Sequence, residues 1–161
     1  MNSQSEPQFL AGPLHPGPLH LGIVQPWDCD VMGHFTVRRY AAAFDDASYQ
    51  LLFRLSGTSP VSQADGLGWA DVRQVYEYHA EMLPGTMFSI SGAPVRLGTK
   101  SIDVEYRMVR TQDGSAVATM RSTLVRLDLK AREGVAVEAA MRARIGQMID
   151  ASTSVTGGEG A

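Results

Sequence analysis

The chain has 161 residues, of which 44% are hydrophobic and 19% charged, with a formal net charge of −3. That length suits one domain with a core of its own, and the slightly acidic balance excludes the basic surplus expected of a nucleic-acid binder. The lone cysteine, Cys29, excludes an intrachain disulfide and a multi-cysteine metal centre, and it fits a reducing cytoplasm.

Residues 1–18 hold Pro7, Pro13, Pro16 and Pro18 with no periodicity, which predicts an extended or disordered arm. They have neither the basic start nor the apolar run of a signal peptide. No stretch approaches the ~18 consecutive apolar residues of a membrane helix. The expectation is therefore a soluble, cytoplasmic protein with no membrane contact. Leu21 to Gln25 reads as a first strand that stops at Pro26. Val37, Tyr40, Phe44, Ala47, Leu51 and Leu55 then recur at steps of three and four, which predicts one long helix with an apolar stripe. Thr36 stands where an N-cap belongs and Gly57 where a glycine ends a helix.

After a loop rich in Ser, Gly and Pro the period becomes two. Val72, Gln74, Tyr76, Tyr78, Ala80 and Met82 are expected on one face of a strand, with Arg73, Glu77, His79 and Glu81 on the other. Pro84-Gly85 turns the chain into a strand from Met87 to Val95. Gly98-Thr99-Lys100 connects it to a strand in which Ile102, Val104, Tyr106 and Met108 alternate with charged residues. Gln112-Asp113-Gly114-Ser115 is a hairpin signal. Ala116 to Leu127, apolar on both faces, reads as a central strand. Val137 to Ile149 reads as a terminal helix with Met141, Ile145 and Met148 on one side, and residues 151–161 read as a disordered tail. The ordered domain is thus expected over residues 19–150. The order β, long α, four β is an α+β layer pair in which a helix covers a curled antiparallel sheet of about five strands.

The chemistry concentrates in Trp27-Asp28-Cys29-Asp30-Val31-Met32-Gly33-His34-Phe35-Thr36-Val37-Arg38-Arg39-Tyr40. Two acids and a histidine precede a helix N-terminus, where backbone N–H groups are unpaired and carry partial positive charge. Such a start can hold a carbonyl oxygen as it becomes an oxyanion. A carboxylate beside it can attack the carbonyl or take a proton from water. On spacing alone, plain helix capping by these acids stays open.

The Asp-Cys-Asp-x-x-Gly-His run before Tyr40 resembles the 4-hydroxybenzoyl-CoA thioesterase type of hotdog-fold protein. Arg96-Leu97-Gly98-Thr99-Lys100-Ser101-Ile102-Asp103-Val104-Glu105-Tyr106 resembles a strand-turn-strand segment of that family. The resemblance covers about Leu21 to Leu127. It implies a hotdog fold and an acyl-CoA substrate, with no bound cofactor and no metal. It gives Asp30 the role of nucleophile or general base and places the oxyanion donors near Val37. It also implies a homodimer or homotetramer with the site at the subunit interface, and basic side chains at the rim for the coenzyme A phosphates. Arg96, Lys100 and Arg38 are the candidates for that last role. Gly-His-Phe-Thr-x-x-Arg-Tyr is similar to a subgroup that includes betainyl-CoA thioesterases, whose members tend to carry asparagine at the position of Asp30.

Bland roles stand beside these. His34 can polarise the carbonyl or merely fix the loop, Asp28 reads as structural, and Cys29 as a packed residue. Asp45 or Asp46 can enter the pocket or face solvent, and Trp69, Tyr76 and Tyr78 can line an acyl pocket or fill the core. The rival functions are a non-catalytic acyl-CoA-binding hotdog module and an enoyl-CoA hydratase. Hydratases of this fold carry four residues between acid and histidine, whereas Asp30 and His34 are separated by three.

Overall fold

The structure, a computed structural model, describes residues 17–57 and 66–156. Strand β1 (His20–Ile23) is followed by a short 3-10 turn (Pro26–Asp28) and the long helix α1 (Val37–Ser56). Then come β2 (Leu67–Tyr78), β3 (Met87–Leu97), β4 (Ser101–Arg110), β5 (Ala116–Asp128), a two-residue β6 (Glu133–Gly134) and α2 (Ala139–Thr156). The strands form one antiparallel sheet in the order β1-β3-β4-β5-β2, with β6 added to β5. The expected arrangement forms: a curled antiparallel sheet around a long helix, the hotdog fold.

Helix α1 buries Tyr40, Ala43, Phe44, Ala47, Ser48, Leu51 and Leu55, as the apolar stripe requires. Val37, its expected first member, is instead exposed. The sheet answers with Ile90 from β3, Ile102, Val104, Tyr106 and Met108 from β4, and Ala118, Met120 and Leu124 from β5, all fully or almost fully buried. Alternate residues of β4 and β5 point outward and are charged or polar, with Arg121 paired to Glu105 at 2.8 Å. Strand β5 lies between β4 and β2, the central position expected of it, although Thr119, Arg121 and Thr123 make its outer face partly polar. Burying a large aliphatic side chain of this core contributes roughly 1.5–3 kcal/mol.

Three details depart from the sequence pattern. A bulge between Asp71 and Arg73 shifts the register of β2 against β5, so Val72 is exposed rather than inward. One extra residue in a strand reverses the facing of everything before it. Helix α2 continues to Thr156, past the boundary expected at residue 150, and seats Met141 and Ile145 in the core. Just before it, the buried Arg126 side chain bonds Glu138 and the Gly68 carbonyl, and its guanidinium lies 5.5 Å from the Trp69 ring. Trp69 is therefore part of a structural latch. The expected arm at residues 1–18 lies almost wholly outside the described residues, as does the end of the tail after Thr156.

Candidate active site

Cys29 and Phe35 form an isolated antiparallel bridge, and between them the chain reverses. The Asp30 N–H donates to the His34 carbonyl at 2.8 Å, and the Gly33 N–H donates to the Asp30 carbonyl at 3.0 Å. Gly33 adopts φ 81°, a left-handed conformation that costs any residue with a Cβ roughly 1–2 kcal/mol. The Asp30 side chain is exposed, yet it is oriented. Its Oδ1 accepts the Met32 N–H at 2.9 Å and the His34 N–H at 3.2 Å. Its Oδ2 makes no hydrogen bond among the described residues.

Asp28 points the other way. Its Oδ1 pairs with Arg39 Nε at 2.9 Å, and its Oδ2 accepts the Gln25 N–H at 3.3 Å. Its carbonyl accepts the Thr36 N–H at 3.0 Å. Asp28 thus ties the 3-10 turn to the first turn of α1, and Arg39 is committed to it. The Cys29 thiol is pushed up by burial and by the Asp28 and Asp30 carboxylates, which keeps it protonated and a poor nucleophile. The His34 ring is held through Nε2, 3.2 Å from Glu81 Oε2. Its Nδ1 is buried without a hydrogen-bond partner among the described residues. The Phe35 N–H donates to the Met82 carbonyl at 2.9 Å, so the motif loop is clamped to the segment leading into β3.

Helix α1 begins with Thr36 as N-cap in an extended conformation (φ −77°, ψ 147°), and its side chain makes no capping bond. The Thr36 carbonyl takes both the Arg39 N–H at 2.8 Å and the Tyr40 N–H at 3.2 Å. The N–H groups of Val37 and Arg38 are left without hydrogen bonds among the described residues. Trp27, Val31, Met32 and Val37 in and beside this loop, and Leu83 next to Met82, are all exposed.

The rim candidates do not gather at this point within one chain. Arg38 is exposed on the first turn of α1. Arg96 is bound to Asp103, which raises the guanidinium and holds the Asp103 carboxyl below the usual range. Arg96 lies at the far end of β3, roughly 30 Å from its start by the strand rise, and Lys100 lies just beyond it, whereas the motif loop packs near that start. Of the two helix acids, Asp45 sits close to Asp71 of β2, and burial followed by the Asp71 and Asp46 charges raises its carboxyl. Asp71 escapes a reading of the sequence because the bulge that turns it toward α1 has no local signature. Tyr76 and Tyr78 pack on α1 through Phe44 (5.9 Å between centroids) and Tyr40 (5.2 Å). They are also only half-buried or exposed, so they belong to the core's rim. Among the described residues no group of three His, Cys, Asp or Glu side chains could hold a metal ion, and no helix is long and apolar enough to cross a membrane.

The fold is shared with solved structures. YbaW, a probable thioesterase from Escherichia coli, superposes with a TM-score of 0.70 at 22% identity, covering 81% of this chain and 97% of that one. A Staphylococcus aureus protein solved in complex with CoA gives a TM-score of 0.76 at 14% identity, covering 86% and 88%. A 1,4-dihydroxy-2-naphthoyl-CoA thioesterase from Synechocystis gives 0.69 at 12% identity, covering 80% and 95%. At such identities these likenesses establish the fold. No curated protein matches the sequence. The family model of the thioesterase-like superfamily matches residues 24–145, from the end of β1 into α2 and through the whole motif loop, and the chain belongs to that superfamily.

Proposed function

We propose that the protein hydrolyses an acyl-CoA thioester of small to medium acyl size, with Asp30 as nucleophile or general base. The observation that carries this reading is the start of α1. Two backbone N–H groups, on Val37 and Arg38, stand unpaired at a helix N-terminus whose cap side chain makes no bond. The preceding loop presents a carboxylate held by two N–H donors with one oxygen free. The helix start stabilises the thioester oxygen as charge develops on it. In the general-base route, Asp30 takes a proton from water and the water oxygen bonds the carbonyl carbon. The C–S bond then breaks, and CoA leaves as a thiolate that is reprotonated. In the nucleophilic route, an Asp30 oxygen bonds the carbonyl carbon, the C–S bond breaks as CoA leaves as a thiolate, and water cleaves the resulting mixed anhydride to the free acid and the Asp30 carboxylate. His34, fixed by Glu81 and bonded through its N–H to Asp30, acts as a positioning residue for the loop.

A homodimer, or a homotetramer built from it, completes this reading. Strand β2 is a 12-residue edge without proline or lysine, and uncovered edges of that kind invite pairing. The exposed apolar residues around Asp30 are a surface of the sort that subunits cover. Arg38, exposed on the first turn of α1, would meet CoA phosphates from its own chain. Arg96 and Lys100 can do so only if the second subunit brings its β3–β4 hairpin to the site. The lone, unreactive thiol of Cys29 suits a cytoplasmic setting.

Thiol release from a panel of acyl-CoAs with short, branched, long, aromatic and cationic acyl groups tests the proposal, using the wild type and Asp30→Ala. Turnover of one class that is lost in the variant supports it. Acyl-CoAs bound but left intact by the wild type would make the chain a binding module instead. Water addition to crotonyl-CoA would identify a hydratase.

A further inference from the structure

The first turn of α1 carries two arginines, Arg38 and Arg39, and no acid. The positive end of the helix dipole disfavours a cation there, and only Arg39 has an ion-pair partner on the page. Its Nε lies 2.9 Å from Asp28 Oδ1, and the acid is the better buried of the two, its side chain 15% exposed against 43% for the arginine. Arg38, by contrast, is exposed. Asp28 is itself fixed to the 3-10 turn. Its N–H donates to the Gln25 carbonyl at 2.9 Å, and its Oδ2 accepts the Gln25 N–H at 3.3 Å.

From there Asp28 grips the start of the helix twice. Its carbonyl accepts the Thr36 N–H at 3.0 Å, and its carboxylate meets the Arg39 guanidinium. Between those two anchored residues stand Val37 and Arg38, whose N–H groups have no partner among the described residues. A side-chain cap steadies a helix start by bonding N–H groups of the first turn, and such bonds compete for the donors that a developing oxyanion needs. Thr36 makes no bond of that kind. The grip of Asp28 steadies the same turn from outside it. One hold falls on the residue before Val37, one on the residue after Arg38, and none on the two donors themselves.

We propose that Asp28 and Arg39 are positioning residues for the oxyanion site, an ion pair that keeps the Val37 and Arg38 N–H groups in place and unbonded. The inference rests on the thioesterase reading above, and it names what holds the donors of that site.

Steady-state thiol release tests it, with the acyl-CoA that the wild type turns over fastest and at a temperature below the melt of every variant. Arg39→Ala is expected to lower kcat at least ~10-fold, because slightly displaced donors stabilise the transition state less. KM should stay within about twofold, since the loss falls on the transition state rather than on the bound ester. Arg39→Lys, which keeps a charge within reach of Asp28, should recover most of the rate. The double variant Asp28→Ala, Arg39→Ala should be no slower than Asp28→Ala alone, because both residues act through one contact. A loosened helix start with no part in the chemistry would lower Tm and leave kcat of the folded enzyme as it was. Wild-type kcat in Arg39→Ala, no recovery in Arg39→Lys, or losses that multiply in the double variant each overturn the inference while leaving thioester hydrolysis standing. If the wild type releases thiol from no acyl-CoA, both readings fall.

Discussion

The two ends of α1 are finished differently. At the C-terminal end the orphan carbonyls are closed off. Gly57 turns left-handed (φ 70°) and its N–H donates to the Phe53 carbonyl at 2.9 Å. The Arg144 guanidinium, reaching over from α2, bonds the Leu55 and Ser56 carbonyls. At the N-terminal end the best-placed cap residue, Thr36, makes no side-chain capping bond, and two N–H groups find no partner among the described residues, beside exposed apolar side chains. A protein that fully caps one terminus has the means to cap the other. An end left open at some cost in stability, next to an oriented carboxylate, is what a reaction site needs.

The sharpest way to break that comparison is Asp30→Ala. On the proposed chemistry it lowers kcat/KM at least ~100-fold and leaves the thermal melt within a few degrees of the wild type, because Asp30 is exposed. Near-full activity in the variant would remove Asp30 from the mechanism. Next in size is Thr36→Asp. A carboxylate at the N-cap can bond the free N–H groups and complement the helix dipole, adding about 0.5 kcal/mol or more of stability. The same bonds occupy the oxyanion donors, so activity is expected to fall at least ~10-fold. A variant that gains stability and keeps its rate would show that the open end is not the site. The opposite terminus supplies the control. Arg144→Ala removes a charged donor from two carbonyls and is expected to cost about 1 kcal/mol, a fall of several degrees in Tm. The rate below the melt should not change.

Much of this was written locally and could be read without coordinates. The helix signals at Thr36 and Gly57, the hairpin at Gln112-Asp113-Gly114-Ser115 and the two-sided apolar character of β5 all depend on residues within a few positions of one another. The motif loop was legible for the same reason: Asp28, Asp30, Gly33 and His34 sit within seven residues and fold on themselves. Val37 fitted an apolar period and yet is exposed, because periodicity reports a face and not where the core ends. The Asp45–Asp71 pair was out of reach. It joins α1 to β2 across 26 positions of sequence, and only the bulge after Asp71, unmarked by glycine or proline, turns that side chain toward the helix. The placement of Arg96 and Lys100 was likewise hidden, since distance along β3 appears only once the loop's packing partner is known.

The smallest predicted effect concerns pH. The groups that act on Asp45 are Asp46 next to it on α1, Asp71 and Tyr76 from β2, and Tyr106 from β4, with no cation among those described. Burial, then its acidic neighbours, raises its carboxyl above the usual aspartate value. Its ionised form is therefore present above that raised pKa. It is lost as pH falls through it, at a higher pH than an ordinary carboxylate would titrate. Stability moves the opposite way: the cost of ionised Asp45 is complete above the raised value and is relieved as pH falls toward the unfolded-state value. Asp103, lowered chiefly by its hydrogen bond from Arg96, contributes with the other sign. Its stabilisation is complete above the unfolded-state value and is lost only as pH falls through its depressed folded value. The gain in Tm expected from Asp45→Asn, followed from neutral pH into the carboxylate range, is full at neutral pH and shrinks as pH falls through the raised value. A gain that stays level as pH falls would mean that ionising Asp45 carries no cost in the folded protein.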